Sequence, residues 1–238
     1  MKQFLTLNDL QNFDAQVALA KEIKANPYQF EELGKRKTLG LLFFNPSLRT
    51  RLSTQKAGRL LGMDVMVMNF SNEAWAIEYE DKTIMEGLRS EHVKEATQVV
   101  SQYCDVVGIR AFATLTDKEK DESEQVLQKF IQYASVPILN MESATAHPLQ
   151  ALADALTLTE LSLPKKPKVV LTWAPHPKAL PHAVGNSFAR MMEHQDADFV
   201  IANPEGYDLD PRITKDIPVV HNQAEALKGA DVVYAKNW

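Results

Sequence analysis

The residues best suited to chemistry form one short run, Ser47-Leu48-Arg49-Thr50-Arg51, with hydroxyls and guanidinium groups crowded together. Guanidinium groups present paired N–H donors that match phosphate oxygens. The run follows Thr38-Leu39-Gly40-Leu41-Leu42-Phe43-Phe44, an apolar stretch of strand length. It leads into Arg51 to Met63, where Leu52, Ala57, Leu60 and Leu61 recur at roughly helical spacing and Gly62 marks a stop. The order is strand, turn, helix. With Ser47 as N-cap, the first-turn N–H groups point outward, and those donors, the helix dipole and the hydroxyls of Ser47 and Thr50 favour an anion. A capped helix with a solvated basic first turn is the alternative. Two arginines at a helix start oppose the dipole, however, and a bound anion would offset that.

Further along, Arg110 closes the strand pattern Asp105-Val106-Val107-Gly108-Ile109, and His147-Pro148-Leu149-Gln150 opens a helix. Taken singly, Arg110 reads equally well as a surface cation, and His147 as an N-cap ahead of Pro148 at N1. Trp75 is unusual because it sits in a polar segment from Asn69 to Lys82, among Asn72, Glu73, Glu78 and Glu80. Such a tryptophan either covers local apolar surface or docks elsewhere.

These residues depend on the elements around them. Leu7 to Lys24 reads as an amphipathic helix on Leu10, Phe13, Val17 and Ile23. Asp64 to Met68 reads as a strand, Thr83 to Tyr103 as a helix, Asp117 to Ala134 as a helix with an acidic start, and Val136 to Met141 as a strand. Pro148 to Leu161 continues as a helix. After Pro164-Lys165-Lys166-Pro167-Lys168 the alternation resumes: strand Val169 to Trp173, helix Pro181 to Met192, strand Asp198 to Ala202, short helix Gln223 to Leu227 and strand Asp231 to Ala235. Strands alternating with helices imply an α/β fold of parallel sheets, whose ligands collect at the carboxyl ends of strands. Phe44, Arg110 and Met141 are all strand ends, so the motifs can converge.

Composition narrows the function classes. The 238 residues are 45% hydrophobic, ample for a packed core, and the net charge of -5 argues against general nucleic-acid or membrane-surface binding. Cys104 is the only cysteine, so no intrachain disulfide can form. With no signal-peptide pattern and no long apolar run, the chain reads as cytoplasmic. The histidines are scattered with no metal-binding spacing, and no Gly-x-Gly-x-x-Gly follows a strand, so neither a metal nor a dinucleotide cofactor is expected.

Ser-x-Arg-Thr-Arg after a strand, then Arg110, then His-Pro-Leu-Gln, in that order, resembles the aspartate and ornithine carbamoyltransferases. Phe43-Phe44-Asn45, Trp173-Ala174-Pro175-His176-Pro177 and Tyr234-Ala235-Lys236-Asn237-Trp238 are most similar to the branch acting on N-succinyl- or N-acetyl-ornithine. The resemblance implies two parallel-sheet α/β domains: residues 1–147 binding carbamoyl phosphate, a linking helix over 148–163, and residues 164–238 binding the N-acylornithine. The active site is expected between the two domains. Carbamoyltransferases continue past this point through a His-Cys-Leu-Pro motif and a C-terminal helix, so the second domain is expected to be incomplete.

The resemblance also assigns roles. Ser47, Leu48, Arg49 and Thr50 would hold the phosphate. Trp75 would close over it from the neighbouring subunit of a homotrimer. Thr50, Arg110 and His147 would direct donors to the carbamoyl oxygen as the catalytic set, and Gln150 would bind the carbamoyl nitrogen. Glu142, His176, Lys178 and Lys236 match N-acylornithine-binding positions. Lys236 stands where ornithine enzymes carry an acid for a free α-ammonium; a cation there suits an acylated substrate, which keeps only its α-carboxylate. The position that separates the acyl types falls on Ser90, where the succinyl type is expected to have proline and the acetyl type glutamate. Absence of that glutamate, with Arg89 adjacent, favours a succinyl group; the alternatives are an enzyme for the N-acetyl substrate or a truncated, non-catalytic anion-binding protein.

Overall fold

A computed structural model describes residues 3–70, 73, 75–174 and 181–237. The chain divides into two compact units, 1–144 and 145–238. His147 and the helix expected as a link both belong to the second unit.

The first unit runs β1 (Gln3–Phe4), α1 (Phe13–Ala25), β2 (Thr38–Phe43), α2 (Arg49–Leu60), β3 (Asp64–Asn69), β4 (Ile77–Glu78), β5 (Glu91–His92), α3 (Val93–Tyr103), β6 (Val106–Arg110), α4 (Lys118–Glu122), α5 (Gln125–Tyr133) and β7 (Ile138–Glu142). Five strands form one sheet in the order β1-β7-β6-β2-β3, every pair parallel. From β2 the chain steps one way to β3 and later returns to lay β6 on the other side. The carboxyl ends of β2 and β6 therefore flank the point where the winding reverses, which is where such sheets take ligands. Leu41, Leu42, Phe43, Ile109 and Met141 are almost completely buried in this sheet. Phe44 stacks on Phe70 at 4.7 Å and meets the edge of Phe130 at 5.8 Å, closing the core beneath the β2 end.

Several elements depart from the sequence expectation. The helix expected from Leu7 begins at Phe13; Leu7–Asp9 is a 3-10 turn in which Asp9 accepts from the Leu5 and Thr6 N–H groups, and Asn12 caps α1 by accepting from Ala15 N. Residues 83–90 are not helical. Helix α3 starts at Val93, capped by His92, because the polar segment before it has no apolar face to bury: Ile84 and Leu88 are exposed. The helix expected from Asp117 is broken at Glu124, whose φ is +50°. In α2, Leu52 and Ala57 point outward while Thr54 and Gly58 face the sheet. A Cβ on Gly58 would lie 2.8 Å from Val65 Cγ2 and 3.0 Å from Leu39 Cδ2, so glycine allows the helix to approach β2 and β3 closely. Gly62 does end the helix, at φ +74°.

The second unit runs α6 (Pro148–Glu160), β8 (Lys168–Ala174), α7 (Ala183–Met192), β9 (Asp198–Ala202), α8 (Pro211–Thr214), β10 (Val219–Val220), α9 (Gln223–Ala226) and β11 (Val232–Asn237). Its sheet is parallel in the order β10-β9-β8-β11, so the reversal falls between β8 and β11. Helix α7 begins at Ala183, two residues after the expected Pro181, and is buried along most of its length.

Candidate active site

The phosphate-type motif sits on the carboxyl end of β2. Leu48 already has helical backbone angles, so the assigned helix opens at Arg49, and Ser47 caps it from just upstream: the Thr50 N–H donates to Ser47 Oγ at 3.2 Å. That bond uses one first-turn donor. The Arg49 and Arg51 N–H groups have no partner among the described residues, which leaves donors at the positive end of the helix dipole. The Arg49 side chain is exposed and makes no hydrogen bond or ion pair among the described residues. Arg51 differs from expectation: its guanidinium donates to Asn69 Oδ1 and lies over the Phe43 ring, 4.7 Å from the centroid. It ties α2 to the ends of β2 and β3, so of the motif's two arginines Arg51 is held within the fold while Arg49 stays exposed.

Arg110 ends β6 beside this loop and is only 6% exposed. Its Nη1 donates to the carbonyls of Pro46 at 3.0 Å and Asn45 at 3.3 Å, and its Nη2 donates to Glu142 Oε2 at 3.0 Å. The guanidinium also lies 4.0 Å above the Phe112 ring centroid. Burial holds the Arg110 pKa below its ordinary value, although the Glu142 carboxylate opposes that shift. Glu142 reaches this position through a bulge: Ile109 pairs with Asn140 but Arg110 pairs with Glu142, so Met141 is the extra residue. Glu142, expected as a substrate partner, is thus already the counter-ion of Arg110.

Sequence reasoning missed Asn45. Its Oδ1 accepts from the Phe112 N–H at 2.6 Å, pinning the phosphate-type loop to the segment after Arg110. The available signal was an Asn-Pro pair at a strand end, a common turn start.

Trp75 and Ser90 flank the start of the short parallel ladder of β4 and β5. The Ser90 N–H donates to Ala76 O at 3.2 Å, one residue before Ile77 pairs with Glu91. Trp75 is 61% exposed, and its indole N–H donates to Glu91 Oε2 at 2.7 Å. Arg89, expected to help receive a distal carboxylate, is already paired with Glu78 at 2.7 Å. Glu78 also accepts from the Tyr79 and Glu80 N–H groups at 2.8 Å each, so that argument for a succinyl group loses its cation.

In the second unit, His147 is the N-cap of α6, and its Nδ1 accepts from the Gln150 N–H at 3.4 Å. An accepting Nδ1 places the proton of the neutral ring on Nε2, the nitrogen suited to donate to a carbonyl oxygen. The His147 N–H donates to Ser187 Oγ at 2.7 Å, fixing the helix start against α7. Gln150 donates from Nε2 to Asp154 Oδ1 at 2.8 Å. Burial raises the Asp154 pKa, opposed by its contacts with Gln150 and Tyr234, and burial likewise raises Tyr234. Lys236 lies half-buried on β11, level with Trp173 on β8. His176 and Lys178 lie outside the described residues. Among the described residues, no group of three or more His, Cys, Asp and Glu is placed to hold a metal ion.

Residues 2–160 match the family described as aspartate/ornithine carbamoyltransferase, carbamoyl-P binding domain. The whole chain is 48% identical to the N-succinylornithine carbamoyltransferase of Bacteroides thetaiotaomicron, over 75% of that protein. This chain belongs to the aspartate/ornithine carbamoyltransferase family. Its resemblance extends to the N-acetylornithine carbamoyltransferase of Xanthomonas campestris pv. campestris, 38% identical over all of this chain and 74% of that one. Among solved carbamoyltransferases, a glutamate-to-serine mutant of N-acetyl-L-ornithine transcarbamylase complexed with carbamyl phosphate and N-succinyl-L-norvaline superposes with a TM-score of 0.92. It is 38% identical, and the match covers 100% of this chain and 76% of that one. Acetylornithine transcarbamylase complexed with acetylcitrulline gives a TM-score of 0.93 at 38% identity, covering 100% of this chain and 75% of that one.

Proposed function

We propose that this chain transfers the carbamoyl group of carbamoyl phosphate to the δ-amine of N-succinyl-L-ornithine, giving N-succinyl-L-citrulline and phosphate, in arginine biosynthesis. The observation that carries the reading is the meeting of the Ser47–Thr50 loop and Arg110 at the carboxyl ends of adjacent strands β2 and β6. Ser47, Leu48, Arg49 and Thr50 hold the phosphate, with help from the open N–H groups of α2. Thr50, Arg110 and His147 donate to the carbamoyl oxygen, and Gln150 accepts from the carbamoyl nitrogen. The uncharged δ-amine then forms the new N–C bond while the C–O bond to phosphate breaks. The amine proton leaves with the phosphate, so no covalent enzyme intermediate is needed and catalysis rests on positioning and charge.

On the acceptor side, Lys236 and Glu142 belong with the acylornithine, as do His176 and Lys178. The tilt towards a succinyl group rests on Ser90 and the relatives named for that substrate, since Arg89 is occupied. A serine replacing glutamate in the N-acetyl-L-ornithine transcarbamylase complex accompanies a bound N-succinyl compound, and we take Ser90 as the counterpart of that position. We assign the chain to the cytoplasm, as a homotrimer in which Trp75 serves the neighbouring site. No described helix is long and apolar enough to cross a membrane, and the exposed Trp75, Leu48 and Leu52 leave apolar surface for subunit contacts.

Equilibrium binding tests the phosphate assignment. Phosphonoacetamide, a stable analogue of carbamoyl phosphate, is titrated into the wild type and into Arg49→Ala, with circular dichroism to verify the fold. Loss of about tenfold or more in affinity is expected for removing a charge-assisted contact. A folded Arg49→Ala protein with wild-type affinity would sink the assignment.

A further inference from the structure

A carbamoyl nitrogen carries two N–H donors and can be met only by an acceptor, whereas a glutamine carboxamide offers an acceptor at one end and donors at the other. Something must decide which end of Gln150 faces the ligand. Gln150 lies in the first turn of α6, and its Nε2 donates to Asp154 Oδ1, one helical turn on, at 2.8 Å. In this bond the amide nitrogen is the donor and Asp154 Oδ1 the acceptor. The bond therefore commits the NH2 end of Gln150 to Asp154 and turns Oε1 away from it.

Asp154 is half-buried beside Tyr234: its Oδ2 is shut off from solvent and accepts no hydrogen bond among the described residues, and the Tyr234 hydroxyl lies near the carboxylate. The Tyr234 ring packs on Phe188 with centroids 4.1 Å apart, and Tyr234 stands on β11, opposite Leu171 of β8. Through Tyr234 the chain from Gln150 reaches the strand that carries Lys236 two residues further on.

We propose that Asp154 is a positioning residue that holds Gln150 Nε2 and so presents Gln150 Oε1 to the carbamoyl NH2, selecting a carbamoyl donor over an acyl donor of the same shape. The inference rests on the reading that Gln150 meets the carbamoyl nitrogen. It also complements His147, whose accepting Nδ1 leaves Nε2–H as the donor: one residue is set to give a hydrogen bond and the other to take one.

The test compares two stable ligands that differ only at the group in question, phosphonoacetamide and 2-oxopropylphosphonate, which carries a methyl group in place of the NH2. Dissociation constants are measured by calorimetry on the full chain for wild type, Asp154→Leu and Asp154→Asn. The wild type should prefer the amide by about tenfold, the scale of one satisfied hydrogen bond in a closed site. Asp154→Leu should lose that preference while its affinity for the methyl ketone changes little, and Asp154→Asn, which keeps an acceptor, should recover part of it. A preference unchanged in folded Asp154→Leu would overturn the proposal. A wild type that binds neither ligand would instead overturn the functional reading beneath it. If Asp154→Leu does not fold, the crystal structure of the wild type with phosphonoacetamide decides: Gln150 bonded to both Asp154 and the ligand nitrogen supports the proposal, and Gln150 swung away from Asp154 ends it.

Discussion

Glu142→Ala is the most informative single change to stability, because it isolates what a buried counter-ion does for Arg110. The two side chains are 7% and 11% exposed and meet through one hydrogen bond of 3.0 Å. At that separation two unit charges attract by about 4 to 6 kcal/mol for an effective dielectric near 20. Desolvating each ion costs several kcal/mol, so the pair adds little net stability over an apolar pair of equal volume. Removing only Glu142 changes the balance. Arg110 keeps the two backbone carbonyls and the Phe112 ring, but its charge stays buried without a counter-ion, a loss of about 3 to 5 kcal/mol. Glu142→Gln keeps an acceptor of the same length and should lose less, while the double replacement Arg110→Met/Glu142→Leu should recover much of the loss. Urea unfolding of these proteins together with the single replacements Arg110→Met and Glu142→Leu, with m-values checked for constancy, closes the double-mutant cycle and gives the coupling energy. Glu142→Ala within about 0.5 kcal/mol of wild type would refute the argument that Arg110 depends on this carboxylate.

Other expectations follow from particular contacts. Gly58→Val should destabilise the first unit by about 1 to 3 kcal/mol through overpacking against Val65 and Leu39, read as a lower thermal midpoint, and an unchanged midpoint would show that α2 can move off the sheet. Burial pushes the Asp121 pKa up, but the N–H groups of Thr114 and Leu115 and the Thr114 hydroxyl outweigh it and hold the carboxyl below its ordinary range. A lowered carboxylate pKa gives stability that is complete above the unfolded value and is lost as pH falls through the folded value. Wild type should therefore lose more stability than Asp121→Asn on acidification below pH of about 4, and parallel curves would count against these bonds. Ser90→Glu should place a like charge near a succinyl carboxylate and shift the ratio of kcat/KM for N-succinyl- over N-acetyl-ornithine down by about tenfold or more; no shift would remove Ser90 from the specificity argument.

The sheet and the phosphate-type loop were legible in the sequence because both rest on local patterns. Continuous apolar runs of strand length that alternate with helical patterns read as buried parallel strands, and a Ser-x-Arg-Thr helix start carries its chemistry in adjacent residues. What failed was decided at a distance. Residues 83–90 have helix-forming composition in part, yet they connect β4 to β5 with Ile84 and Leu88 exposed and no apolar face against the core. Leu52 suited a buried helix face, but Gly58 sets the approach to the sheet and turns Leu52 outward. Arg51 and Arg89 read as ligand-facing cations because their partners, Asn69 and Glu78, are eighteen and eleven residues away. The bulge at Met141 that brings Glu142 onto Arg110 likewise leaves no mark on the periodicity.

The most direct test of the account is the rate of citrulline-type product formation from carbamoyl phosphate with N-succinyl-L-ornithine, N-acetyl-L-ornithine and L-ornithine assayed in parallel. Turnover is expected with N-succinyl-L-ornithine at the highest kcat/KM and none above background with free ornithine, whose α-ammonium Lys236 would repel. Carbamoylation of free ornithine in preference to either acylated substrate would contradict it.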